Sequence, residues 1–361
     1  MAYIGPKDFS QDTNLIAEVM RVMSGDLNLE WMKDHPHPMA ARPKQPKRGL
    51  TLDDINDDPH YGPSALPEII RRHFSMTPRG GILPEGLPSL GYRVNRKSDL
   101  WADSAAALFE ESKSRRWAPA RNVPWDALDE APLSPEQDRA IRQLCTGLTS
   151  IGLVSTDVPS RWVWLMNQDF HEIKYWMCAQ MFDATRLAEA FRKRALYGQG
   201  ALGCDSRELG ELLKIVMESE TYPLASAALN LTLFSFVQSL GRRFEFLSSN
   251  AADTYLGTRL AQDASRFTAY GVDHIRQFVS AQPAQLEVVN EHLDLVDNGL
   301  VGYLGSRELI EPLIVLSGGV EPVAAFYRKA AEEYFERCAA AGLGARETRS
   351  PLQGFLKMLE S

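Results

Sequence analysis

Two short stretches decide how this chain is read: Asp183-Ala184-Thr185-Arg186-Leu187 and, 80 residues on, Asp263-Ala264-Ser265-Arg266-Phe267. Each reads aspartate, alanine, a small hydroxyl residue, arginine and a large apolar residue. Around the first copy, apolar residues recur at helical spacing: Ile173, Trp176, Met177, Met181, Ala184, Leu187, Ala188 and Phe191, with Gln180 the one polar member. A five-residue match alone is weak. Its place at equivalent depths of two long helices makes the chain two helix pairs, the second echoing the first.

Working outward, Ser134-Pro135-Glu136-Gln137 has the form of a capping box with proline at the first helical position. It predicts a helix over 134–153. Asp157 and Pro159 are expected to start a second long helix, ending near Gly198. A short helix over 206–219, long ones over 222–248 and 251–279, and closing helices over 285–297, 306–316 and 322–341 follow from the same periodicity. Alternating strand patterns are almost absent. Long amphipathic segments with short connections predict an all-α helical bundle.

Most of the 21 prolines fall before Ser134, so helix breakers concentrate in the first third. Short helices are expected at 12–23, 64–74 and 98–116, separated by loops such as Pro78-Arg79-Gly80-Gly81. Residues 1–97 are expected to be an irregular extension wrapping a bundle at 98–345, with a tail helix in 346–361. Trp101, Trp117 and Trp125 are its expected anchors, because indoles bury large apolar areas.

Hydrophobic residues make up 44% of the chain and charged residues 24%, which suits a globular protein with a large core. The net charge of −8 argues against general nucleic-acid binding. Arg42, Lys44, Lys47 and Arg48, interleaved with Pro43 and Pro46, read as an exposed arm. No apolar run reaches the roughly 18 residues of a membrane span, and no secretory leader is evident. Cys145, Cys178, Cys204 and Cys338 fit no metal spacing and read as reduced, mostly buried thiols of a cytoplasmic protein.

The two copies resemble the Asp-Glu-x-Arg-His motif of the ferritin-like di-iron carboxylate proteins, including their oxygenase branch. The flanks resemble it too: Phe170-His171-Glu172-Ile173-Lys174, Gln180-Met181-Phe182 and Phe191-Arg192-Lys193-Arg194-Ala195-Leu196 about the first copy, Gln262 and Ala269-Tyr270-Gly271-Val272 about the second. The resemblance covers roughly 98–345. It implies a ferritin-like, ribonucleotide-reductase-like bundle with extra C-terminal helices.

In that family a Glu-x-x-His on one helix faces its counterpart on another, and lone glutamates complete the metal shell. The resemblance puts Ala184 and Ala264 at the Glu positions, Leu187 and Phe267 at the His positions, and Gly152 and Asn230 near the lone-Glu positions. None supplies a carboxylate or imidazole, so the inherited site is expected to hold no metal, and no other cofactor is implied. Buried carboxylates without metal are strongly penalised, and apolar residues remove that penalty. Asp183 with Arg186 and Asp263 with Arg266 remain, and are expected to form a buried polar network that fixes helix packing.

Other candidates weigh less. His171-Glu172 reads as a structural pair, and His274, two turns after Phe267, as a satisfied histidine at the bundle end. Glu218, Glu220 and Glu245 read as helix-end or surface charges, and Asn290-Glu291-His292 as a solvated face. His35-Pro36-His37-Pro38 reads as a turn, and Gly80-Gly81 and Gly318-Gly319 as loop glycines outside any phosphate motif. The expected role is a non-catalytic subunit of a di-iron-type oxygenase system. It would dimerise with itself or with a metal-bearing relative, without nucleic acid or membrane. One alternative is a metal-independent enzyme or binder whose cavity is lined by some of Trp164, Glu172, Tyr175, Trp176, Phe234, Tyr270 and His274. Another is a di-iron oxidase with ligands placed elsewhere.

Overall fold

The computed structural model describes residues 8–30, 43–55, 74–75, 81–82, 104–163, 165–166 and 172–359. The chain divides into two compact units, residues 1–85 with 167–170, and residues 86–166 with 171–361. In the first unit, α1 (Thr13–Met23) is capped by Asp12, whose Oδ1 accepts from the N–H of Asn14 and Leu15. A one-turn helix α2 (Leu52–Ile55) follows, and Phe74–Ser75 (β1) pairs antiparallel with Gly81–Ile82 (β2). The helix expected over 64–74 and the tips at Arg42, His35-Pro36-His37-Pro38 and Pro78-Arg79-Gly80 lie almost wholly outside the described residues. Phe74, expected to end that helix, is in β1.

Among the described residues, the regular elements of the second unit are all helices. Its elements are α3 (Ala105–Ser114), α4 (Pro119–Asn122), α5 (Ala127–Glu130), α6 (Pro135–Val163), α7 (Glu172–Leu196) and α8 (Arg207–Met217). They continue with α9 (Tyr222–Leu247), α10 (Ala251–Ala281), α11 (Leu286–Gly305), α12 (Arg307–Ser317), α13 (Val320–Ala340), α14 (Arg346–Arg349) and α15 (Leu352–Met358). Helices α6 and α7 pack along their lengths, as do α9 and α10; α3 lies on α7, α12 on α6, α13 on α9 and α8 on α11. The two long pairs are those that carry the repeat.

Local sequence explains most helix ends. The capping box at the start of α6 is reciprocal: Gln137 N–H donates to Ser134 Oγ at 3.2 Å and Ser134 N–H to Gln137 Oε1 at 3.3 Å. Ser206 caps α8 through Leu209 N–H, and Asn250 caps α10 through Asp253 N–H. Gly318, at φ 75°, closes α12 in the left-handed conformation that glycine adopts without penalty.

The expected break near Leu153 is not there. Helix α6 runs through it to Val163, and Pro159 lies inside its last turns rather than opening the next helix. Val158, Pro159 and Trp162 are all buried, so packing offsets the missing backbone donor. The helix expected to begin at 157–159 begins at Glu172 instead. Helix α11 extends to Gly305, beyond the expected 297.

Helix α9 contains a π-helical segment, Ala227–Leu233, with Asn230 at its centre. Such wide turns are rare in regular helices and occur mostly as local bulges. Helix α9 is also long and apolar enough to cross a membrane by length and composition, yet 89% of its most apolar window is buried inside the bundle. It is the central core helix of this unit. Backbones meet closely where glycines allow it. A Cβ on Gly152 would come within 2.8 Å of Ala188 N, and one on Gly271 within 2.7 Å of Leu231 N.

A buried ion pair ties in the chain's last segment. Arg346, 0% exposed, donates through Nη2 to Asp297 Oδ2 at 2.6 Å and through Nη1 to Asp294 Oδ1 at 2.7 Å. Tyr334 and Ser350 hydroxyls donate to the same Asp297 carboxylate. The tail that was expected as a single helix is two short ones, α14 and α15, anchored by this cluster.

Candidate functional site

The two motif copies sit side by side in α7 and α10, and each presents two faces. On one face the four charged residues form a closed square. Arg186 Nη2 donates to Asp183 Oδ1 at 2.7 Å and to Asp263 Oδ2 at 2.8 Å. Arg266 Nη2 donates to Asp183 Oδ2 at 2.7 Å and, by a short bond, to Asp263 Oδ1. Each arginine therefore bridges its own aspartate and that of the other helix. All four are buried, at 0 to 4% exposure. The square is neutral overall, the condition under which buried charges are tolerated.

Two further side chains complete it. Ser112, on α3, donates its hydroxyl to Asp183 Oδ2 at 2.9 Å. Trp117, in the loop after α3, donates Nε1–H to Asp263 Oδ2 at 3.1 Å. Arg186 Nε and Nη1 have no hydrogen-bond acceptor, but its guanidinium lies 5.0 Å from the Trp117 ring and 5.5 Å from that of Phe182. Such cation–π contacts partly replace the missing acceptors. Burial pushes the Asp183 carboxyl above the usual carboxylate range. The Asp263 charge adds to this, and the two guanidinium groups oppose it.

The other face of the same motif is apolar. Ala184, Ala264 and Phe267 are 0% exposed and Leu187 2%. Phe267 packs edge-on against Phe234 at 4.6 Å and Trp176 at 6.0 Å; Trp176 meets Tyr270 at 5.5 Å. Tyr222 and Tyr270 share a hydroxyl hydrogen bond of 2.8 Å. His274 is fully buried and stacks on Tyr222 at 4.9 Å. Burial drives its pKa down to about 3, so it is a neutral imidazole at physiological pH.

The remaining candidate positions are accounted for in the same core. Gly152 faces the Ala188 backbone at a distance that leaves no room for a side chain. Asn230 Oδ1 accepts from Gln180 Nε2 at 2.7 Å, and its Nδ2 donates to Ser226 Oγ at 3.1 Å, so its amide is committed within the bundle. Glu172 is buried in the first turn of α7. Tyr175 is 38% exposed and packs against Phe109 on the outer surface, away from the aromatic cluster; it does not line an interior cavity. Trp164, His171 and Trp101 lie outside the described residues. His292, expected on a solvated face, is half-buried and bonded to Ser219 Oγ, and Asn290 is buried. Cys145 and Cys338 are buried, Cys178 and Cys204 exposed, and all four are free thiols.

Two solved structures share this arrangement of helices. Both are variants of an R2-like ligand-binding oxidase with an aerobically reconstituted Mn/Fe cofactor. Each superimposes with a TM-score of 0.50 at 15% identity, over 68% of this chain and 93% of its own. The fold is ferritin-like, that of the R2-like ligand-binding oxidases. No protein-family model matches the sequence, and no curated protein matches it. The ferritin-like neighbours carry a Mn/Fe cofactor, and the described residues of this chain do not fit one. The four inward motif positions bear no donor atom and Gly152 admits no side chain. Among the described residues, no group of three or more His, Cys, Asp or Glu side chains could hold a metal ion.

Sequence reasoning named the square's four corners but not Ser112 or Trp117 as their partners. Trp117 stood out only as a bulky anchor. No short-range pattern announces a hydrogen bond between Trp117 and Asp263, because chain topology alone brings them together. The Gln180–Asn230 pair was missed for the same reason.

Proposed function

We propose that this ferritin-like protein is a metal-free, non-catalytic subunit, structural or regulatory, of a di-iron-type oxygenase system, associating with a metal-bearing relative or with a second copy of itself. One observation carries the reading. On the charged side of the repeated motif each arginine bridges both aspartates, while the side that would hold metal is closed by Ala184, Leu187, Ala264 and Phe267. What persists is the part of the motif that locks helices, without the part that does redox chemistry.

Association has its own support. On α7 Tyr175, Phe182 and Leu196, 38%, 58% and 41% exposed, fall at multiples of seven residues along one outer stripe, whose fourth position is Glu189, paired with Lys193. Apolar residues at that spacing form a helix-docking seam more readily than a solvated face. The four free thiols suit a cytoplasmic setting. A small-molecule site in the former centre has less support, because Phe234, Phe267 and Trp176 already pack against one another there.

The test is co-expression with a related chain in which both Asp-Glu-x-Arg-His motifs are intact, alongside light scattering of the isolated protein. A stable mixed complex, or a self-dimer weakened by Phe182→Lys, is the expected outcome. A monomer that co-purifies with no such relative would contradict the subunit reading.

A further inference from the structure

Away from the motif helices, the second half of α9 and the first turns of α13 enclose a surface groove of about 410 Å³. That volume lies within the range of roughly 300–1,000 Å³ typical of small-molecule sites. Its walls combine two aromatic rings, Phe246 and Phe326, with three cations, Arg242, Arg243 and Lys329, and one carboxylate, Glu333.

The charges are not balanced inside it. Glu333 is taken up by Arg242, which pairs with it directly, and by the Ser239 hydroxyl at 2.7 Å; Arg337 stands 3.7 Å off. Arg243 and Lys329 pair with no carboxylate among the described residues. Arg243 donates through Nη2 to Ser317 Oγ at 2.8 Å, and its buried Nε has no acceptor. Its guanidinium is held between the rings of Phe246, at 5.5 Å, and Phe326, at 5.9 Å. Burial disfavours its charge and lowers its pKa. A part-buried, oriented guanidinium without a carboxylate partner is a ready receptor for an anion.

We propose that this groove binds a small organic carboxylate with a flat apolar body, its head between Arg243 and Lys329 and its body against Phe246 and Phe326. The rings favour an aromatic or similarly flat body over an inorganic anion, since an ion alone would leave the exposed Phe246, 77% accessible, uncovered. The site is separate from the motif helices' closed centre, and the inference does not rest on the subunit reading.

Titration calorimetry at low ionic strength with 2-naphthoate tests it, with 2-naphthalenemethanol as the neutral analogue and inorganic phosphate as the bare anion. Naphthoate is expected to bind one to one, with both the alcohol and phosphate at least about tenfold weaker, the weight of one charge-assisted contact. Lys329→Gln and Arg243→Gln should each weaken naphthoate by about the same factor. If Arg243→Gln alters the thermal midpoint, Lys329→Gln, whose side chain bonds to nothing else described, decides the matter. Absence of naphthoate binding, equal binding of the alcohol or of phosphate, or wild-type affinity in a folded variant would overturn the assignment.

Discussion

The two faces of one five-residue motif differ sharply in this molecule. Asp183 and Arg186 with Asp263 and Arg266 form a closed ionic square, while their neighbours Ala184, Leu187, Ala264 and Phe267 form a buried aromatic and aliphatic layer. A layer of carboxylates needs a cation to offset its mutual repulsion and its desolvation. A square of two carboxylates and two guanidinium groups supplies its own. The square needs no metal, whereas a layer of carboxylate ligands would. The difference shows that architecture and chemistry can be separated on a single turn of helix.

The apolar face breaks most readily under charge. Ala264→Glu places a carboxylate against Phe267 and Trp176, with no counter-ion and no space, and should cost about 4 kcal/mol or more of stability. Ala184→Glu should behave alike. Urea denaturation measures both. Unchanged midpoints would show this face to be wet, and the contrast between the faces would vanish.

The charged face breaks by loss of balance. Arg266→Met removes one corner and leaves Asp183 and Asp263 sharing one guanidinium, a loss of about 3 to 4 kcal/mol by the usual cost of a broken buried pair. Denaturation at neutral pH should show it, with partial recovery when Asp263 is also replaced by Asn. A loss under 1 kcal/mol, on the scale of surface pairs (about 0–1 kcal/mol), would mean that the square contributes little to holding α7 against α10.

His274 sharpens the comparison at the edge of the apolar layer. Its folded pKa of about 3 lies below the 6.5 of an unfolded histidine. The unfolded chain therefore takes up a proton that the folded chain refuses. Stability is undiminished above 6.5 and falls as pH drops from there towards 3, at about 1.4 kcal/mol per pH unit from this group. His274→Phe should flatten that part of the profile. An unchanged slope between pH 6 and 4 would place the titration elsewhere.

Much of this architecture was legible in the sequence because it rests on local rules. The capping box at Ser134 and Gln137, the helical periodicity around Trp176 and the equal depth of the two motif copies each need only a few neighbouring residues. The features that were not legible depend on packing between distant segments. Pro159 looks like a helix start, yet buried Val158 and Trp162 carry α6 past it. The π-helical turn at Asn230 lies where α10 comes close at Gly271, and no local pattern reveals it. Ser112 and Trp117 complete the square from a segment with no motif of its own.

The motif's inward face offers no side chain that could bind a metal. Elemental analysis of protein expressed with excess iron and manganese, read together with the optical spectrum, tests it most directly. The account predicts no stoichiometric iron or manganese and no bridged di-metal absorption. A metal pair in each chain, with that absorption, would contradict it.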